Sequence, residues 1–292
     1  MNFQEYKKKF PTKQAVINHF IKIRYKNGIV CNHCGCKEDV YKMKKTPKKF
    51  ICHSCNNTFS IFKDTIFEKS STDLKKWFYA IHLFLNGKKG ISALQLQREI
   101  GTTYKTAWRM LQQIRKAMGN KKKDDDDDYM TGIIEIDETY VGGKSENKHM
   151  SKRIAAKGIF QKSVILGMLS RNKEVRAFKI DNAKTNTIYP YILENVAENS
   201  QIITDEHKAY YWLQARYKHQ SVNHSKGEYK KGDNFHTNSL EGFWATMKRG
   251  VYGIYHHISS KYTQNYVNEF CFRYNNRGNK KMFDLVLAQA VL

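Results

Sequence analysis

The chain has 292 residues, enough for one large domain or two to three small ones. Its 51 Lys and Arg outnumber 27 Asp and Glu, leaving a formal net charge of +24. That balance favours a polyanionic partner, nucleic acid first, over the general basicity of a lysine-rich proteome. No apolar run approaches the roughly 20 residues of a membrane span, and MNFQEYKKKF lacks the apolar core of a secretory signal.

The apolar spacing of Thr12 to Tyr25 predicts a short amphipathic helix. Two pairs follow, Cys31-x-x-Cys34 and Cys52-x-x-Cys55, separated by 17 residues. That spacing is expected of a four-cysteine zinc site built from two tight knuckles. All four positions are filled by protein, so the expected role is structural. His33, Cys36 and His53 are near enough in sequence to be rival ligands, though the pairs explain the site without them. Paired cysteines in a chain this long argue for metal rather than disulfides, hence a reducing, cytoplasmic compartment. Tyr41 to Ile51 reads as a hairpin turning at Thr46-Pro47, and Cys271, alone in an aromatic segment, as core.

Three helices come next. Thr72 to Leu85 is expected to be capped by Thr72, Ser92 caps a second helix through Ile100, and Gly101 turns into a third, Thr103 to Met118. This order reads as a helix-turn-helix whose third helix enters the major groove. Its expected exposed residues are Lys105, Thr106, Arg109, Gln112, Gln113, Arg115 and Lys116. The alternative is an ordinary three-helix packing domain. Gly119 to Met130 has no periodicity and reads as a charged linker. Its five aspartates, 124–128, are taken as solvated rather than metal-binding.

Beyond the linker the pattern turns to α/β. Strands are expected at Ile133–Val141, Ser163–Leu169, Val175–Ile180, Gln201–Thr204 and Gln220–His224. Helical segments are expected at Thr187–Ala197, Tyr210–Tyr217 and from Ser239 to about Lys248. In the first strand Ile134 and Ile136 share one face, and Ile133, Glu135 and Asp137 the other. Three strands, a helix and a fourth strand is the order of an RNase H-like domain with a mixed five-stranded sheet. Its first and fourth strands are neighbours, so Asp137 and Asp205 would meet at their ends. Glu241 follows on a later helix, with 35 residues between it and Asp205. Three such acids can hold two Mg²⁺ ions about 4 Å apart for phosphodiester chemistry.

The ordered motifs CNHC, CHSC, FKDTIFEKS, GIIEIDETYVGG, ITDEHKAY, HTNSLEGFWATMKRGVYGIYHHIS and FRYN resemble the bacterial insertion-sequence transposases of the ISXO-like group. The resemblance runs from about Ile29 to Asn279. It implies a zinc ribbon, a helix-turn-helix and a DDE catalytic domain. Asp137, Asp205 and Glu241 would then be the magnesium triad (with Mn²⁺ as a substitute), with Lys248 assisting and Arg249 beside it on DNA. Some relatives carry Asn at the third position, which leaves Asn238 as a rival to Glu241. The resemblance also implies a homodimer or larger on paired double-stranded DNA ends, in a bacterial cytoplasm at the nucleoid. The Asp tract of the linker departs from the family pattern.

The expected layout is therefore multidomain. Residues 1–65 are a zinc ribbon with an N-terminal helix, 66–118 an all-α helix-turn-helix, 119–130 a linker and 131–292 the RNase H-like domain. The expected function is a DNA transposase that cuts at element ends and joins the 3′-OH to target DNA. The rivals are a magnesium-dependent nuclease that never joins and a non-catalytic DNA-binding protein. His207 and His236 could contact phosphate or serve as plain hydrogen-bonding groups, and Glu135 is expected in a neighbouring structural pair. Phe243, Trp244, Tyr252, Tyr255, Tyr262 and Tyr266 are expected as core, with one or two free to stack on an end base.

Overall fold

The computed structural model describes residues 1–119, 129–142, 162–171, 174–222 and 236–291. The Asp tract lies outside them. The chain divides into two compact units, Met1–Lys122 with Gly278–Leu292, and Lys123–Arg277. Among the described residues no helix is long and apolar enough to cross a membrane.

The first unit opens with helices α1 (Phe3–Lys9) and α2 (Lys13–Arg24). Asn2 and Glu5 close a capping box on α1, and the Thr12 hydroxyl caps α2. A three-stranded antiparallel sheet follows, β1 (Val40–Lys42), β2 (Lys49–Cys52) and β3 (Thr58–Ser60). Strands β1 and β2 form the hairpin expected around Thr46-Pro47. Helices α3 (Leu74–Asn86), α4 (Ala93–Ile100) and α5 (Tyr104–Met118) complete the N-terminal stretch. Gly101 adopts φ 57° between α4 and α5, a left-handed turn that costs glycine little. Ser92 caps α4 as expected. The cap of α3 is not Thr72 but Asp73, whose carboxylate accepts the Lys75 N–H at 3.0 Å. The two side chains are sequence neighbours, and the carboxylate is the stronger acceptor.

The last helix of the chain, here α9 (Met282–Gln289), belongs to this unit. The sequence placed it with the α/β domain. Phe283 packs instead against Phe10 and Phe78, with ring centroids 5.4 and 5.6 Å away. Asp284 accepts from Lys9 Nζ at 3.0 Å and lies 2.8 Å from His19 Nε2. Val286 and Leu287 are fully buried. Residues 1–65 and 66–118, expected as separate domains, share this one unit.

The second unit is built on a five-stranded mixed sheet. Its strands are β4 (Ile133–Val141), β5 (Ser163–Ser170), β6 (Glu174–Ile180), β7 (Gln201–Asp205) and β8 (Lys218–Val222). They lie in the order β6-β5-β4-β7-β8, with β4, β7 and β8 parallel and the other pairs antiparallel. The two-residue period of β4 separates its faces. Ile134 and Ile136 pack with helix α6 (Thr185–Asn195) and the 3-10 helix Lys208–Ala215. The opposite face meets α7 (Asn238–Gly250) and α8 (Thr263–Asn275) through Leu240, Phe243, Trp244, Met247, Val267 and Phe270. Both faces are covered, so the central strands carry apolar residues on both faces, with the acids of β4 set among them.

Candidate functional site

The four thiols come together. Cys31, Cys34, Cys52 and Cys55 hold their sulfurs within 4.8 Å of one another. Cys31 Sγ lies 3.7 Å from Cys55 Sγ, and Cys34 Sγ 3.6 Å from Cys52 Sγ. Four sulfurs about 2.3 Å from a tetrahedral zinc ion stand just under 4 Å apart, so the cluster fits that ion. The knuckles have a local cause. The residue after each pair, Gly35 at φ 75° and Asn56 at φ 56°, adopts the left-handed turn that glycine and asparagine tolerate best. Amide N–H groups turn toward sulfur, His33 N to Cys31 and Asn57 Nδ2 to Cys55. Neither His33, Cys36 nor His53 enters the cluster, and Cys36 accepts from the Ser54 hydroxyl instead.

The second cluster lies at one end of the larger sheet. Parallel strands β4 and β7 pair Ile133 with Gln201, Ile134 with Ile202 and Glu135 with Ile203. Two residues further on, the same register sets Asp137 beside Asp205. Asp205 accepts the His207 N–H at 3.0 Å, and His207 itself caps the 3-10 helix. Asp137 accepts from the indole Nε1 of Trp244 at 3.0 Å. Burial, and then the Asp205 charge, push the Asp137 carboxyl up to about 6, with Glu241 adding to the rise. A carboxyl whose proton affinity is raised by burial and by two neighbouring acids is a place where a divalent cation fits. The oxygens of the three acids do not converge on one point. Among the described residues only the four thiols bring three or more ligand atoms within 4.8 Å. Carboxylates shared around two ions about 4 Å apart need no single focus.

Glu138, next along β4, faces the other side of the sheet toward Tyr210. Burial pushes its carboxyl up to about 7, Tyr210 pulls it down, and Asp205 and Asp137 raise it further. The sequence reading passed over Glu138, because alternation turns it away from Asp137. Glu135 is fully buried and committed elsewhere. It accepts from Leu240 N at 2.9 Å and Arg171 Nε at 3.3 Å, and lies 3.5 Å from His236 Nδ1. His207 and His236 thus both make plain hydrogen-bonding or ionic contacts within the unit.

Helix α7 begins at Asn238, one residue earlier than expected. Thr237, not Asn238, is the N-cap, and Asn238 is an exposed first-turn residue. The Thr237 hydroxyl donates to Glu241 Oε1 at 2.9 Å. Asn238-x-x-Glu241 has the form of a capping box, but Thr237 stands at the cap and its hydroxyl engages Glu241. Lys248 lies two turns beyond Glu241 on the same face, about 10 Å along the axis, and is half-buried. Arg249 is exposed and donates to the Thr246 hydroxyl. Of the aromatic ring, Phe243, Trp244 and Tyr266 are core, and Tyr255 donates to Glu269. Tyr262 is packed on the core, whereas Tyr252 is 53 % exposed. Cys271 packs half-buried on the same cluster.

On α5 the expected exposed face is only partly exposed. Lys105 and Lys116 are exposed, and Thr106 and Gln113 half-buried. Arg109 is half-buried with a long contact to the Glu68 carbonyl, 3.5 Å. Gln112 and Arg115 are buried, contrary to expectation. The Arg115 guanidinium lies 5.3 Å over the Phe84 ring, and its stem covers apolar surface.

A family model described as the ISXO2-like transposase domain matches residues 129–275, and one described as a transposase zinc-ribbon domain matches 11–58. An uncharacterized protein in transposable element ISH50 of Halobacterium salinarum is 27% identical over 263 residues, covering 84% of this chain and 87% of that protein. A chain from a simian T-cell lymphotropic virus intasome in complex with PP2A regulatory subunit B56 gamma aligns with 61% of this chain. The alignment spans 63% of its own length at 13% identity, and its TM-score of 0.29 carries no argument.

Proposed function

The chain belongs to the ISXO2-like transposase family, and from that premise we propose that it cuts DNA at the ends of an insertion sequence and joins the freed 3′-OH to target DNA. Membership of a transposase family implies DNA binding. The observation that carries the chemistry is the parallel register of β4 and β7, which carried two residues on brings Asp137 to Asp205, with the Asp205 and Glu241 charges felt at Asp137.

In this reading Asp137, Asp205 and Glu241 hold Mg²⁺. Magnesium bound there would activate the attacking oxygen and neutralise the leaving one. Asp137 in the middle of β4 and Asp205 at the end of β7 are fixed on the sheet, and α7 carries the third. Lys248 contacts a DNA phosphate further along that helix, with Arg249 beside it. Water attacks phosphorus first, and the bond to the 3′ oxygen breaks to leave a 3′-OH. That hydroxyl then attacks a target phosphate and displaces the target's own 3′ oxygen. Neither step needs a covalent link to the protein.

The four cysteines hold a structural zinc. End recognition falls to the N-terminal unit, with α5 in the major groove and Lys105, Thr106, Arg109 and Lys116 in contact. Gln112 and Arg115 drop out of that face because they are buried. Pairing of two ends calls for a dimer or larger, acting where the cell keeps its DNA.

The test is a strand-transfer assay with labelled element ends, a plasmid target and Mg²⁺. Joined product from the wild type, and none from Asp137→Asn or Asp205→Asn with end binding intact, is the expected result. Cleavage without joining would reassign the protein as a nuclease.

A further inference from the structure

We propose that Trp244 is a positioning residue for Asp137, and that Gly167 is the residue that admits it; this rests on the metal-binding reading of Asp137 given above. Three observations meet at one spot. Trp244 Nε1 donates to Asp137 Oδ2 at 3.0 Å, across 107 residues of chain. Gly167 is the direct cross-strand partner of Asp137 in the antiparallel pair β4–β5. A Cβ on Gly167 would stand 2.4 Å from Trp244 Cζ2, 2.6 Å from Cη2 and 3.1 Å from Leu240 Cδ1.

The six-membered edge of the indole therefore lies against the strand beside Asp137, at the residue that has no side chain to displace it. A glycine inside a strand weakens the strand, and close approach of another group is a usual reason to find one. The indole N–H donates and cannot accept, so it holds Oδ2 of Asp137 in a single sense. Trp244 is 4 % exposed and packed against Phe243, so the donor has little freedom to turn. Trp244 also lies one turn from Glu241 on α7. The same helix thus sets the orientation of one acid and carries another.

The test uses full-length, zinc-loaded protein without DNA. Mn²⁺ binding is measured by calorimetry and by the rise in melting temperature on adding the ion. Trp244→Phe keeps most of the ring and removes the donor. It is expected to weaken Mn²⁺ binding about 10- to 100-fold, the usual loss when a hydrogen bond to a metal ligand is removed. Gly167→Ala should weaken it to a similar degree by displacing the indole. The double variant should bind no more weakly than Trp244→Phe alone, because both changes act through one contact. It should also melt above Gly167→Ala, since phenylalanine lacks the two indole carbons that the added methyl meets.

Unchanged Mn²⁺ affinity in Trp244→Phe, with affinity lost in Asp137→Asn, overturns the positioning role and leaves the metal site standing. Asp137→Asn that binds Mn²⁺ as tightly as wild type removes the metal site, and this inference with it. Gly167→Ala, measured in the same way, carries the test if Trp244→Phe does not fold; unchanged affinity there overturns the proposal equally.

Discussion

The backbone N–H of Leu240 donates to Glu135 Oε2 at 2.9 Å, so a carboxylate on the central strand caps the first turn of a helix across 105 residues of chain. Thr237, at the N-cap, makes no side-chain cap bond of its own. A fully buried carboxylate is costly unless it is satisfied, and here Leu240 and Arg171 satisfy it. Glu135→Ala would take the acceptor from Arg171 Nε and from the helix amide. The expected cost is about 2–4 kcal/mol in urea unfolding. Glu135→Gln still accepts the Leu240 N–H and should lose about half as much. Equal losses in the two variants would show that the cap contributes little.

The third acid can be separated from its neighbour. Asn238 is exposed and does not cap α7, so Asn238→Ala should stay within about 0.5 kcal/mol of wild type and keep activity. Glu241→Gln retains an acceptor for the Thr237 hydroxyl and removes only the charge. It should abolish cleavage and joining with little change in melting temperature. An active Glu241→Gln beside a folded but inactive Asn238→Ala would give the position to Asn238.

The acid cluster should leave a signature in stability against pH. The Asp137 and Glu138 carboxyls stand at about 6 and about 7 in the fold, above 3.8 and 4.5 for the ordinary groups. The folded chain holds protons that the unfolded chain has released, so the contribution is full below about pH 4. It is lost as pH rises through about 6 to 7. Metal-free protein should therefore lose stability from pH 5 to pH 8 on this account, on the order of 2–4 kcal/mol for both groups together after screening. Asp137→Asn should flatten that slope and melt higher than wild type at pH 8 without metal. Added Mg²⁺ should restore the wild type at pH 8. Parallel curves for wild type and Asp137→Asn would exclude Asp137 as the source.

Basic residues of α5 should fall into two groups. Arg115 is 1 % exposed over Phe84, so Arg115→Ala should lower stability by about 2 kcal/mol. Lys105→Ala and Lys116→Ala should leave stability unchanged. Each should reduce the slope of log affinity against log salt by about 1 if it contacts a DNA phosphate. Lysine variants with an unaltered salt slope would take α5 off the DNA.

Much of this was legible because it is local. The two-residue period in GIIEIDETYV placed β4 and its faces, and the cysteine spacing placed the thiol cluster. Strand order then brought Asp137 and Asp205 together, since an apolar run of the right length precedes each. What stayed hidden depends on partners distant in sequence. A helical projection cannot show that Arg115 lies over Phe84, because a long basic side chain reads as exposed whether or not its stem is covered. Two neighbouring residues able to cap, Thr72 and Asp73, or Thr237 and Asn238, leave a helix start uncertain by one. The link from Trp244 to Asp137 joins two motifs that were each visible, but no spacing rule relates them.

The return of α9 to the first unit also has a bearing on synthesis. Phe10 leaves the ribosome early, and Phe283, which it packs against at 5.4 Å, leaves near the end. Domains generally fold as units while the chain emerges, so the acid-bearing unit can finish first, although it is encoded second. The N-terminal unit waits with Phe10 and Phe78 uncovered until residue 287 is free. A message broken after codon 277 would yield every acid of the cluster attached to an N-terminal unit with an open core, a product fit for proteolysis rather than for work on DNA.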